Sequence, residues 1–296
     1  MCKSVKASIF PDPFTPRGPK RRALAGQTSA GSALTALAVA GAVAGSASAS
    51  PWARGQNEAL VISQTGVFTS TEPVSVDGQI VRQRFNRLET DLYVEYGVTP
   101  SIMIGGKAIY GTSELRRGGV EVETASGVSE YGGFLQYQFL RNDRHAASAR
   151  IGAFSPSSLD DGVRTETAAE GVDADIALLY GRNVDIAPFG VFVGLDAGYR
   201  RRFGDAADQI RLQAEIGAKP GRRWVLLIQS FGEFSLRNET GAGADFDIVK
   251  INPSIVRRFG DGETGRWSLQ LGYSEEIAGR NVARGRKAFV SVWTAF

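Results

Sequence analysis

The groups able to do chemistry in this chain are mostly carboxylates and basic side chains spaced two residues apart. In Leu88–Tyr96, Glu89, Asp91 and Glu95 alternate with Leu88, Leu92, Val94 and Tyr96. An extended strand sends successive side chains to opposite faces, so this spacing gathers charge on one face and apolar groups on the other. Read in this way along the whole chain, one face collects nine acids and seven bases. The acids are Glu89, Asp91, Glu95, Asp173, Asp175, Asp196, Glu215, Glu233 and Glu276. The bases are Arg87, Lys107, Arg150, Arg200, Arg211, Lys250 and Lys287. Near-balanced charge around a shared interior suits a polar solute path with little ion selectivity. The same groups can instead pair across a narrow interior and fill it. Arg87, Arg150 and Arg211 are long enough to reach carboxylates such as Glu89, Glu215 and Glu233.

Other chemistries find little support. Cys2 and His145 are each the single residue of their type, which excludes a disulfide framework, a Cys-rich zinc site and a His–His metal site. Nucleophilic catalysis needs a base beside the nucleophile. His145 directly follows a short connection and reads as a solvated turn residue. Asp173 and Asp175 share a face, as an acid/base pair would, but such neighbours are expected in so acidic an interior. Asp160-Asp161 and Asp205/Asp208 have the oxygen ligands a divalent cation prefers, yet read as solvated loop charge. Gly241-Ala242-Gly243 and Gly260-Asp261-Gly262 lead into no helix, so they are turns rather than phosphate cradles. The expectation is no catalytic residue, no metal and no cofactor.

The charge is unevenly placed. The chain carries +3 overall, but residues 1–49 hold six of its basic residues against Asp12 alone. The remainder is slightly acidic, which argues against a nucleic-acid partner. Within that basic leader, Lys20-Arg21-Arg22 precede the apolar run Ala33–Ala44, and Ala47-Ser48-Ala49 follows. This is the three-part layout of a secretory signal peptide. Its apolar run is too short to span a bilayer as a helix, which takes about 20 residues. The expected division is a leader over 1–49 and one domain over 50–296, with the mature chain starting near Ser50.

The elements that must carry the charged face are strands. Twelve alternating segments fall near 58–68, 86–96, 101–112, 129–139, 146–154, 172–181, 187–200, 208–217, 224–236, 246–257, 266–276 and 286–296. Twelve strands in a row without helices form a meander that must close on itself or expose edges. Connections after even-numbered segments are brief, including Gly97–Pro100, Leu140–Arg144 and Ala218–Arg223. Those after odd-numbered segments are longer on average, including Thr69–Phe85, Ser113–Val128, Ser155–Gly171 and Arg237–Asp245. Alternating short turns and long loops are the habit of an up-and-down membrane barrel.

Aromatic residues on the apolar face gather at the strand ends. Tyr96, Phe139, Tyr180, Phe189, Trp224, Trp267 and Phe296 lie at the short-turn end. Tyr110, Tyr131, Tyr199, Phe234 and Tyr273 lie at the other. Within one strand the two sets stand eight to ten residues apart, as in Tyr131/Phe139 and Trp224/Phe234. At about 2.5 Å per residue along the membrane normal, that spacing is about 20–25 Å, the height of an outer-membrane apolar band. The expected fold is an all-β, closed, antiparallel transmembrane barrel of about twelve strands.

Ala288, Val290, Val292, Thr294 and Phe296 alternate up to a terminal Phe. This strand resembles the one that bacterial outer-membrane proteins present to the barrel-assembly machinery, with Phe296 as the signal and Thr294 in place of the usual second aromatic residue. The segment Pro51–Glu58 and the run Asp91–Thr99 resemble the outer-membrane transporter family named after the meta-pathway of phenol degradation. That resemblance implies a barrel passing small, often aromatic or apolar, molecules, and it supplies no catalytic residues.

The expectation is therefore a porin-like barrel of the Gram-negative outer membrane, not an enzyme, for passive transport of small solutes. A non-conducting structural or interaction barrel is the alternative, and a lipid-modifying barrel enzyme the third. Outer-membrane lipid and lipopolysaccharide are the expected surroundings, with Arg116-Arg117 and Arg200-Arg201-Arg202 placed to meet lipopolysaccharide phosphates.

Overall fold

The computed structural model describes residues 43–44, 47–48, 50–76, 79–155, 171–186, 189–240, 245–260, 267–282 and 284–296. Apart from a pairing of Val43–Ala44 with Ala47–Ser48, the strands of the described residues build one closed barrel. They are β1 (Ala59–Val76), β2 (Gln79–Gly97), β3 (Ile102–Arg117), β4 (Val120–Arg141), β5 (His145–Ser155) and β6 (Asp173–Ile186). The second half comprises β7 (Phe189–Arg202), β8 (Gln209–Gly221), β9 (Trp224–Ser235), β10 (Asp247–Phe259), β11 (Trp267–Arg280) and β12 (Gly285–Ala295). Each strand pairs antiparallel with its sequence neighbours. β12 closes on β1 from Gly285↔Ser70 to Ala295↔Leu60, and the Ala59 and Phe296 main chains bond each other at 3.0 and 3.2 Å. Closure leaves no unpaired edge strand, so the backbone groups of each strand face a partner on both sides.

Two of the expected outer loops are not loops. Much of Thr69–Phe85 extends β1 and β2, and Ser113–Val128 extends β3 and β4 up to a tight turn at Gly118-Gly119. These stretches lack the apolar half of the membrane pattern because they stand beyond the apolar band, but alternating polar residues still pair as strands. Gly118 and Gly119 have φ of 58° and 89°, a backbone conformation glycine adopts without a Cβ clash. The β10–β11 ladder skips Asn252 and Pro253, whose ring nitrogen has no proton to donate.

The face assignment follows the alternation. Leu226, Ile228 and Leu271 are exposed on the outside, whereas Gln229 and Gln270 are buried inside. Both aromatic sets lie on the outer face, Tyr96, Phe139, Trp224, Trp267 and Phe296 at one rim and Tyr110 and Tyr131 at the other. Phe259 stacks on Trp267 at the short-turn rim, ring centres 4.1 Å apart.

The interior differs from the polar-throughout face read from the sequence. Its short-turn half is an apolar core of Leu60, Ile62, Tyr93, Met103, Leu179, Phe192, Val225, Leu227, Val256 and Trp293. Segments such as Trp224–Ile228 are apolar on both faces, so one face meets lipid and the other packs inward.

Candidate functional site in the barrel lumen

All fourteen lumen residues singled out from the sequence project inward, and most are ion-paired. Arg87 lies 3.0 Å from Glu89, which also bonds Lys287, while Lys287 lies 3.6 Å from Asp91. Arg150 bonds Asp196 at 2.7 Å, and Lys250 lies 3.4 Å from Glu276. The densest cluster surrounds Arg200, which bonds Asp175 at 2.7 Å and sits 3.4 Å from Asp173 and 3.9 Å from Glu130. Arg211 joins it, 3.3 Å from Asp175 and 2.9 Å from Glu233. Lys107 bonds Glu130, and Lys107 and Arg200 both lie over the Phe154 ring at 5.1 and 5.3 Å. Strand register explains the cluster: Asp175 pairs with Arg200 across β6–β7, and Arg211 with Glu233 across β8–β9.

Four expectations need correction. Arg150 reaches Asp196 rather than Glu215, and Glu215 has no ion pair among the described residues. Arg200 and Arg202 are buried in the lumen, so the three-arginine run is no surface cluster; alternation turns only Arg201 outward. Asp208 is no solvated loop charge: it is buried, bonded by Tyr199 and Arg201 side chains at 2.7 and 2.6 Å, and accepts the Arg202 amide at 2.9 Å. Burial pushes its carboxyl up, but the bonds from the Arg202 amide, Asn238, Tyr199 and Arg201 outweigh that and hold it at about 2. His145 is not merely solvated, since its Nδ1 lies 2.7 Å from the Tyr180 hydroxyl. Asp160-Asp161 and Gly241-Ala242-Gly243 lie outside the described residues.

Several lumen residues carry no clear mark in the sequence. Glu130 and Arg202 sit beside loops, and Phe134 and Phe154 fall on the charged face by alternation although they are apolar. Inward they line, with Tyr93, Lys107, Arg150, Asp175, Asp196 and Arg211, a space of about 60 Å³ near mid-barrel.

A separate element, the segment before β1, also occupies the lumen. From Asn57 at the short-turn rim, where its amide bonds the Gly97 carbonyl at 2.8 Å, the chain runs into the lumen and reaches Ser50 deepest. Lumen side chains hold its backbone like a docked peptide. Arg141 donates to the Ala53 carbonyl at 3.2 Å, and Gln138 and Ser148 donate to the Pro51 carbonyl at 3.0 and 2.6 Å. Gln136 donates to the Ser50 carbonyl at 2.7 Å. Arg54 bonds Glu95 at 2.5 Å with both side chains fully buried, and the Tyr93 hydroxyl donates to the other Glu95 oxygen at 2.7 Å. Trp52 packs over Gly181, where a Cβ would stand 2.3 Å from the indole. The segment was legible only as family-like residues; nothing local in Ser50–Arg54 says that it turns inward.

This geometry matches solved membrane barrels. An outer membrane channel from Pseudomonas putida F1 aligns over 86% of this chain and 100% of its own, at 12% identity and a TM-score of 0.55. The NanC porin aligns over 79% of this chain and 98% of its own, at 6% identity and a TM-score of 0.50. The chain has an outer-membrane β-barrel fold. The family resemblance drawn from the sequence agrees with that fold. No family model matches the chain, and no curated protein matches it in sequence.

Proposed function

We propose that this barrel passes small solutes across the outer membrane and that the docked segment 50–57 is its gate. The carrying observation is that a stretch of chain separate from the barrel strands occupies the lumen, and that Ser50–Arg54 is held there by wall side chains bonding its backbone carbonyls and by one ion pair. Such contacts can be broken and remade without touching a ladder hydrogen bond. The charged lumen above it is nearly balanced and lined by rings, which suits neutral or weakly charged solutes, aromatic ones included. The fourteen lumen residues would line the solute's path, with Phe296 as the assembly signal.

Single-channel recording in planar bilayers tests this. The mature protein should be mostly closed, and a variant lacking residues 50–57 should conduct with little ion preference. The apolar core at the short-turn half favours a second reading, a barrel that conducts nothing. If the truncated barrel is folded yet silent, and liposomes containing it take up no small neutral or aromatic solute, that second reading replaces the first.

A further inference from the structure

Among the described residues, the lumen holds one buried carboxylate without a counter-charge. Glu215, on β8, is 7% exposed, and among the described residues it makes no ion pair; its Oε2 has no hydrogen-bond partner. Every other lumen carboxylate in the charged half has a basic partner within 4 Å, so this omission is not the general habit of the site. Burying an ionised carboxylate unpaired is strongly unfavourable, which leaves Glu215 wanting a cation.

Ser50 lies close to Glu215 in the lumen. Ser50 and Pro51 line the same small cavity as Glu215 and Asp196, with about 10 Å³ of free space, on the scale of one water or one ammonium group. Asp196 is already bonded to Arg150, so Glu215 is the group left over. Ser50 is also the residue that follows Ala47-Ser48-Ala49, the small-x-small cleavage signature. Two independent features thus meet at one residue. The sequence marks the Ser50 nitrogen as the new terminus, and the fold places that residue beside a carboxylate lacking a cation.

We propose that processing of the precursor creates the missing partner: the α-ammonium of Ser50 pairs with Glu215 and anchors the deep end of the gate. A periplasmic-side signal peptidase would hydrolyse the Ala49–Ser50 bond. Water's oxygen adds to the Ala49 carbonyl carbon, the C–N bond breaks, Ala49 leaves as a carboxylate, and the released Ser50 amine takes a proton. An amide nitrogen at this position could donate one hydrogen bond but no charge, whereas an ammonium supplies both. The deep anchor of the gate is therefore made by proteolysis and adds to the contacts that already dock the segment. This inference rests on segment 50–57 docking in the lumen, but not on solute passage.

Its test reads the amine, not the conductance. Intact-mass and N-terminal sequencing of the purified outer-membrane protein should give Ser50 as the first residue. Reductive methylation of the folded protein in detergent at pH 7.5, followed by peptide mass analysis, should label the Ser50 amine slowly. In Glu215→Gln the same amine should be labelled about tenfold faster, because it loses the charge that holds it protonated. Glu215→Asp keeps a carboxylate and should stay closer to the wild-type rate; it also serves if the Gln variant does not show the heat-dependent gel mobility of a folded barrel. A first residue other than Ser50, or equal labelling in the wild type and the folded neutral variant, overturns the proposal. Equal labelling would mean that simple burial protects the amine. Failure of the channel reading would appear separately, as absent conductance with the labelling difference intact.

Discussion

Arg54→Ala offers the sharpest test of how the gate is held. Arg54 and Glu95 are both fully buried and bonded at 2.5 Å, and the Tyr93 hydroxyl also donates to Glu95. Removing one member of such a pair leaves a buried charge uncompensated and costs about 3–5 kcal/mol. The remaining Tyr93 bond argues for the lower end, about 3 kcal/mol. That cost is felt only while the segment is docked, since its departure lets water reach Glu95. The docking equilibrium should therefore shift by about a hundredfold, at about 1.4 kcal/mol per factor of ten. The assay is open probability in planar bilayers for wild type and variant, with heat-dependent gel mobility to show that both barrels are folded. Replacing both members, Arg54→Met with Glu95→Gln, removes the charges together and should return the open probability towards wild type, as pair replacement is often near neutral. A folded Arg54→Ala barrel no more open than wild type would refute the reasoning. So would a double variant as open as the single one.

Gly181→Val should also open the barrel, because its side chain meets the Trp52 indole where even a Cβ would lie 2.3 Å away; such overpacking costs about 1–3 kcal/mol, and unchanged conductance would mean that Trp52 is not docked there. Leu269→Arg should impair folding into lipid vesicles by about 2–4 kcal/mol, and Gln270→Arg far less, since only the first side chain faces lipid; the reverse order would mean a strand slipped by one residue. The Asp208 carboxyl is held at about 2 against an ordinary value of 3.8, so it contributes stability that is complete above about pH 4 and lost as pH falls towards 2. Hydrogen-exchange protection of the Arg202 amide should fall over that window, and Asp208→Asn should reduce it at pH 6; equal protection in both proteins would show that the loop is held by other contacts.

Much of this molecule can be read from residue alternation alone. Period-two patterning determined the strand count, the lipid and lumen faces and the two aromatic rims, because lipid tolerates only apolar side chains on one face of a closed sheet. Leu226 against Gln229 and Leu271 against Gln270 are cases in which a one-residue rule was enough. The tops of β1–β4 were missed for the same reason: beyond the lipid the constraint on the outer face lapses, so strand and polar loop look alike. Pairing partners inside the lumen needed the tertiary structure. Which base meets which acid depends on register across several strands, and Arg150 goes to Asp196, leaving Glu215 without a base. The gate needed it most of all. Ser50–Arg54 has no periodicity and enters the lumen only because the closed barrel offers hydrogen-bond donors for its carbonyls on β4 and β5, a glycine on β6 and a buried Glu95 on β2. A docking site made from four strands exists only after they close around it.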